Sequence, residues 1–224
     1  SLIGTELQAP KITSEVYQRD FANEGGVFNT ITMLKNSAGM HILQCIRRDL
    51  ESDGKKYTWD EIVRLARSYQ GEAALFDPNS YELFNPKNMI AAIQTLIKDQ
   101  DAGIEKVLSS TYTSLAFIYR KTVEQIQEVT GKEYSSIHIV GGGSQNAYLN
   151  QLTADLTGKT VYSGPKEATS LGNIGVQLVS HIKNFGLAEI REMVRNSEPI
   201  LKFNPDLQRD IHYIDTRYQV FLGL

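Results

Sequence analysis

The sequence predicts an α/β layered fold, and three stretches predict it. The first is Ile137-His138-Ile139-Val140, a β-branched run that enters three glycines, Gly141, Gly142 and Gly143. The second follows at once, where Ser144, a favoured helix N-cap, opens a helical pattern of Tyr148, Leu149, Leu152 and Leu156. The third precedes both: from Ile104 to Val129 apolar residues recur every three or four positions until Gly131 stops the run. Helix, strand, glycine turn and helix in that order make a layered α/β unit.

The remaining elements are read in chain order. Ser1–Leu7 is a short strand stopped by Pro10, and Tyr17–Asn23 is expected as a second strand before the turn Glu24-Gly25-Gly26. From Leu34 to Leu50, the residues Leu34, Met40, Leu43, Ile46 and Leu50 fit one helix face. Asn36 and Gln44 would then stand eight residues apart on that helix, roughly 80° around it and about 12 Å along it. On residue type alone both read most simply as solvated polar positions. Cys45, among Ile42, Leu43 and Ile46, reads as a packing residue.

Thr58 and Glu61 have capping-box spacing and open a helix with Trp59, Ile62, Val63, Leu65 and Ala66 on its apolar face, Trp59 as a core anchor. Asp77-Pro78-Asn79 and Asn85-Pro86 mark turns, and Pro86 is expected to open a helix running to about Ile97. Residues from about 52 to 130 read as a helical insertion, of which the part up to Gln100 packs on the main sheet without being a domain of its own. Gly158 ends the helix after the glycine turn, and Lys159–Tyr162 is a short strand. A helix then runs from about Glu167 to Lys183, with a seam of Ala168, Gly172 and Gly175 that lets it approach another backbone, flanked by Leu171, Ile174, Leu178 and Ile182. Leu187–Arg195 is a further helix, and Phe203-Asn204-Pro205 begins the last, docked by Ile211, Ile214, Tyr218 and Phe221.

Bulk properties exclude several classes of function. The 224 residues fit one domain, or one domain with an elaborate subdomain. A net charge of −3 without a basic run argues against a phosphate-tracking nucleic-acid surface. No apolar stretch approaches the roughly 18 uninterrupted residues of a membrane span. The single cysteine excludes an internal disulfide and suits a reducing cytoplasm. The four histidines have no metal-ligand spacing, and His138, alternating with Ile137 and Ile139, reads as a satisfied structural residue. The chain begins at Ser1 without a secretory signal pattern, as expected of a fragment or a processed chain.

The glycine turn is the functional candidate. Glycine takes positive φ, lets main chain approach a ligand closely, and stands here before a helix N-terminus with free N–H groups, a combination that suits a nucleotide. Glycine used only to make the corner explains the same residues equally well. The dinucleotide motif fails because Asn146 occupies its last glycine position, and Gly158-Lys159-Thr160 is no P-loop because its first glycine would be Thr153.

Four blocks stand in order along the chain: Asn23-Glu24-Gly25-Gly26, Leu34-Lys35-Asn36 with Leu43-Gln44, His138 to Asn146, and Gly164 to Gly175. Together they resemble the second domain of FGGY-type carbohydrate kinases over nearly the whole chain. The resemblance implies a ribonuclease-H-like domain of the actin and heat-shock 70 ATPase type with a helical insertion. It casts residues 1–224 as a C-terminal nucleotide-binding domain whose N-terminal sugar-binding partner is absent. It further implies ATP with Mg2+, a ketose substrate, ATP contacts from Gln44, Gly141, Gly142, Gly143 and Asn146, and a sugar-side contact from Asn36. The family's catalytic aspartate and a serine-glycine-threonine-tryptophan phosphate turn would lie upstream of Ser1. Asp20, Asp77 and Asp155 fall in no matching motif, so no catalytic residue and no metal ligand are assigned. Strands preceding Ser1 would complete the sheet, leaving an edge near Leu2 and Ile3 that favours dimerisation or a poorly ordered N-terminus. Xylulose, fuculose and glycerol enzymes share the glycine turn, and a non-catalytic actin-like nucleotide module or a sugar-responsive partner without nucleotide stays open beside them.

Overall fold

A computed structural model describes residues 1–52 and 54–224. In chain order the strands and α-helices are β1 (Leu2–Leu7), α1 (Ser14–Gln18), β2 (Ala22–Gly25), β3 (Ile31–Asn36), α2 (Met40–Ser52), α3 (Trp59–Ser68), α4 (Met89–Leu96), α5 (Ile104–Thr130), β4 (Ser136–Ile139), α6 (Ala147–Thr157), β5 (Thr160–Ser163), α7 (Ala168–His181), α8 (Leu187–Ser197), β6 (Leu201–Phe203) and α9 (Ile211–Leu222). They fall into two compact units: residues 2–36 with 122–206, and residues 37–121 with 207–224 and Ser1. Helix α5 belongs to the second of these as far as Lys121 and to the first from Thr122 onward.

The first unit holds both sheets. One is antiparallel in the order β1-β3-β2, with Leu2 opposite Asn36 and Leu7 opposite Ile31. Gly4 is required there, since a Cβ would lie 2.3 Å from the Met33 carbonyl oxygen. Leu7, Val16, Phe21 and Met33 make a core with Ile126 and Val129 from the end of α5. Thr5 Oγ1 donates to the Tyr134 hydroxyl at 3.0 Å, and the Lys35 ammonium donates to the Gln125 side chain at 3.1 Å. The other sheet has the order β4-β5-β6, with β4 and β5 parallel and β6 antiparallel to β5. Helix α6 packs on β5, and Gly158, at φ 68°, ends it as the glycine position requires.

The second unit is helical. Ile42, Leu43, Cys45, Ile46 and Leu50 of α2, Ile62 and Ala66 of α3, Met89 and Ile93 of α4, and Val107, Leu108, Tyr112 and Leu115 of α5 are all buried. The buried Asp49 carboxylate accepts hydrogen bonds from the Met89 and Ile90 amides, capping α4 from α2. Phe117 packs against Tyr218 and Phe221 of α9 at 5.6 and 5.7 Å between ring centres. The Arg120 guanidinium lies 4.1 Å above the Tyr218 ring and pairs with Asp215 at 2.9 Å. Thr58 and Glu61 form the expected capping box, and Gly131, at φ 68°, follows the last residue of α5.

Several elements depart from the sequence expectation. Tyr17–Asn23 is not a strand: Thr13 accepts a hydrogen bond from the Val16 amide and starts α1, so extended chain begins only at Ala22. Leu34 and Asn36 lie on β3, because Ile31–Asn36 pairs along its whole length with β1 and the helix begins at Met40. The helical geometry drawn between Asn36 and Gln44 therefore falls. Asn88, not Pro86, caps α4, its side chain accepting from the Ala91 amide. Trp59 is half-buried beneath the Arg47 guanidinium, 5.3 Å from the ring centre, instead of anchoring the core. Asp210 caps α9 well after Pro205, and the three-residue strand β6 precedes it. In α7, Gly175 faces the Ile190 side chain of α8, a Cβ there lying 2.6 Å from Ile190 Cγ2, whereas the space at Gly172 is open. At Gly175 the seam meets a side chain of α8, and Ile174 and Ile182 are exposed. Ile211 is exposed as well, while Ile214, Tyr218 and Phe221 dock α9. No helix among the described residues is long and apolar enough to cross a membrane.

Candidate nucleotide site

The candidate site is a loop at the carboxyl ends of two parallel strands. Strand β4 ends at Ile139 and β5 at Ser163, and the loops that follow are tied together. The Gly164 amide donates to the Ile139 carbonyl at 2.8 Å, and the Gly141 amide donates to the Pro165 carbonyl at 2.9 Å. In open α/β sheets the crevice beyond the carboxyl strand ends is where ligands bind.

Backbone geometry explains the first glycine. Gly141 sits at φ 79°, ψ −167°, a region essentially restricted to glycine. The chain then makes a single 3-10 turn, Gly142–Gln145, in which the Ser144 amide and hydroxyl both donate to the Gly141 carbonyl, at 3.0 and 2.8 Å. At Gly142 nothing lies within 4 Å of where a Cβ would stand, and φ is ordinary. Gly142 is exposed, and its lack of a side chain is therefore not a demand of protein packing.

The 3-10 turn moves the helix start. Asn146, not Ser144, is the N-cap of α6: its Oδ1 accepts from the Leu149 amide at 2.9 Å. Ser144 is spent instead within the turn. Its own carbonyl accepts two side-chain bonds, from Asn150 Nδ2 at 2.8 Å and from Ser163 Oγ at 2.7 Å. Neither Asn150 nor Ser163 was singled out on sequence. The spacing Asn146-x-x-x-Asn150, which puts both amides on one helix face one turn apart, was the available signal.

The structure brings Gly141, Gly142, Gly143 and Asn146 into one turn of the first unit. Asn36, exposed, is the last residue of β3 in that unit, paired across the sheet with Leu2. Gln44 is exposed on α2 in the second unit, between buried Leu43 and Cys45. His138, expected as a satisfied structural residue, is solvent-exposed with its ring stacked on Tyr162 at 5.0 Å between centres. Asp77 bonds the Asn79 amide at 2.9 Å within its turn, and Asp155 accepts from Gln151 and from the Asp206 amide. Among the described residues no group of three His, Cys, Asp or Glu side chains is placed to hold a metal ion.

Residues 1–181 match the family model described as the C-terminal domain of the FGGY family of carbohydrate kinases. The chain is 36% identical over 214 residues to a rhamnulokinase of Bacillus subtilis (strain 168), covering 93% of this chain and 44% of that protein. It is 31% identical over 227 residues to a rhamnulokinase of Ligilactobacillus salivarius (strain UCC118), covering all of this chain and 46% of that protein. The chain thus spans less than half the length of the curated relatives it matches. Among solved structures it is similar to a xylulose kinase from Rhodospirillum rubrum, with a TM-score of 0.72 and 14% identity over 99% of this chain and 44% of that one. It is also similar to a Plasmodium falciparum glycerol kinase with ADP, with a TM-score of 0.58 and 15% identity over 87% of this chain and 38% of that one. These likenesses give the actin and heat-shock 70 ATPase type of α/β fold. From the glycine turn, the fold and the match over residues 1–181 together, the chain belongs to the FGGY family of carbohydrate kinases.

Proposed function

We propose that this chain supplies the ATP-binding part of a sugar kinase that phosphorylates a ketose, L-rhamnulose, to L-rhamnulose 1-phosphate. The observation that carries the reading is the bare main chain at Gly142, exposed and with open space where a side chain would stand, at the carboxyl ends of β4 and β5. The choice of rhamnulose is supported by the rhamnulokinase relatives, whose identity exceeds 30%.

In this reading Gly141, Gly142 and Gly143 lay main chain against the adenosine and α-phosphate of ATP. The N-terminus of α6 offers N–H groups and the favourable end of the helix dipole. Asn146 fixes where that helix starts. The resemblance adds Gln44 as a further nucleotide contact and Asn36 as a contact to the sugar. Phosphoryl transfer needs positioning and charge neutralisation more than covalent chemistry. The resemblance implies that Mg2+ accompanies ATP, where it would neutralise phosphate charge. The resemblance assigns the base that takes the sugar hydroxyl proton to a domain preceding this one, and the relatives are more than twice as long as the stretch this chain matches.

The test is a coupled kinase assay on the natural protein carrying this chain, with ATP and a panel of L-rhamnulose, xylulose, fuculose and glycerol. Turnover highest with L-rhamnulose is expected, and residues 1–224 alone are expected to give none. Turnover by residues 1–224 alone would overturn the division of labour. ADP binding without turnover on any sugar would favour a non-catalytic nucleotide module.

A further inference from the structure

The Ser144 carbonyl, in the middle of the glycine turn, is held from two directions. Asn150 reaches it from α6, and Ser163 reaches it from the end of β5. Both side chains are almost wholly buried, at 1% and 3% exposure. Asn150 Oδ1 is buried with no hydrogen-bond partner among the described residues. Burying an amide with half its hydrogen-bonding capacity unmet is costly, and an apolar residue at this helix position would avoid the cost. What Asn150 contributes in return is one bond, and that bond goes to the turn.

The two contacts fix the turn where covalent structure alone leaves it free. Gly141 to Gly143 have no side chains with which to anchor themselves, and Gly142 has no protein neighbour where a Cβ would stand. The turn's other ties are the Ser144 bonds to the Gly141 carbonyl and the Gly141 amide bond to Pro165, which shape the loop and join it to its neighbour. Asn150 and Ser163 tie its centre to the regular elements beneath. We propose that Asn150 and Ser163 are positioning residues for nucleotide binding, holding the glycine turn at the height above β4 and β5 that lets its main chain meet the ligand. This rests on the glycine turn being the nucleotide site, as argued above. A turn released from either anchor keeps its sequence and loses its preorganisation, so affinity falls while the chemistry, once ligand is bound, does not.

The experiment is calorimetric titration of ADP into the natural protein carrying this chain, as wild type, Ser163→Ala, Ser163→Thr and Asn150→Asp, each with its melting curve. Asn150→Asp keeps the shape and removes the donor. The expected result is a rise of about fivefold to tenfold in the ADP dissociation constant for Ser163→Ala and for Asn150→Asp, with Ser163→Thr, which keeps a hydroxyl, nearer wild type. The Michaelis constant for ATP should rise in parallel while kcat stays within about twofold. A lower melting temperature with unchanged ADP affinity would overturn the proposal and leave the nucleotide site standing, as would loss of the melting transition in both variants, which marks the residues as structural only. Wild type that binds no ADP would overturn the site and this inference together.

Discussion

Gly142→Val separates ligand binding from folding more sharply than any other single change in the turn. The backbone there has an ordinary φ, and a Cβ would meet nothing within 4 Å, so the side chain is accommodated without rearrangement. Stability should change by no more than about 0.5 kcal/mol, as for an exposed surface substitution. In a protein of this size that corresponds to a melting shift within roughly 2 °C. Binding is another matter, because the three added carbons project into the space assigned to the nucleotide. Displacing it enough to break two bonds from main-chain N–H groups to charged oxygens costs about 3 kcal/mol or more. That is a weakening of ADP binding of about 100-fold or greater. Calorimetric titration alongside a melting curve reads both quantities on one preparation. A variant that melts like wild type and binds ADP as well as wild type would refute the reasoning, since it would place the nucleotide away from this corner.

Gly141 should respond in the opposite sense. At φ 79°, ψ −167° an alanine is strained by about 1–3 kcal/mol, so Gly141→Ala should lower the melting temperature by roughly 3–10 °C whether or not ligand is present. Gly175→Ala drives a Cβ to 2.6 Å from Ile190 Cγ2 and should cost about 1–3 kcal/mol in denaturant titration. Ile190→Ala should then cost less in that background than in wild type, a coupling of about 0.5 kcal/mol or more; strict additivity would show that α7 and α8 do not meet there. Hydrogen bonds from the Thr58 amide and hydroxyl hold the Glu61 carboxyl below its ordinary 4.5. A carboxyl lowered in the folded state stabilises above its unfolded pKa and loses that contribution as pH falls through its folded value. The melting temperature of wild type should therefore exceed that of Glu61→Gln at pH 6 and converge with it below pH 4.5, and a gap that persists undiminished in acid would assign the effect to packing.

Where local chemistry and tertiary structure demand the same thing, the fold could be read from the chain. Gly131 and Gly158 end their helices at φ 68° as their positions suggested, and Thr58 with Glu61 makes its capping box from side chains three residues apart. The 27 residues of α5 carried enough periods to be unambiguous. Short elements were not legible in the same way. Leu34 falls into helical phase with the apolar positions of α2, and only its pairing across the sheet with Gly4 and Ala22 shows it to be strand. The three residues of β6 become a strand because β5 offers an unpaired edge, a fact about β5 and not about Leu201–Phe203.

The site divided along the same line. The glycines stood out because their backbone role is written in residue type. Ser144 has the residue type of a cap, but a 3-10 turn, which no residue preference signals, intervenes before α6 and passes that role to Asn146. Asn150 and Ser163 were invisible because each acts on a carbonyl 6 and 19 residues away, respectively. Exposure of His138 could not be deduced from its alternation with Ile137 and Ile139, since alternation names two faces of a strand without saying which is covered.

The most direct measurement is a crystal structure of the natural protein carrying this chain grown with ADP. The account places the nucleotide against the main chain of residues 141 to 143, within hydrogen-bonding distance of the first amides of α6 and in the open space at Gly142. ADP bound elsewhere, with that corner covered by protein, would contradict it.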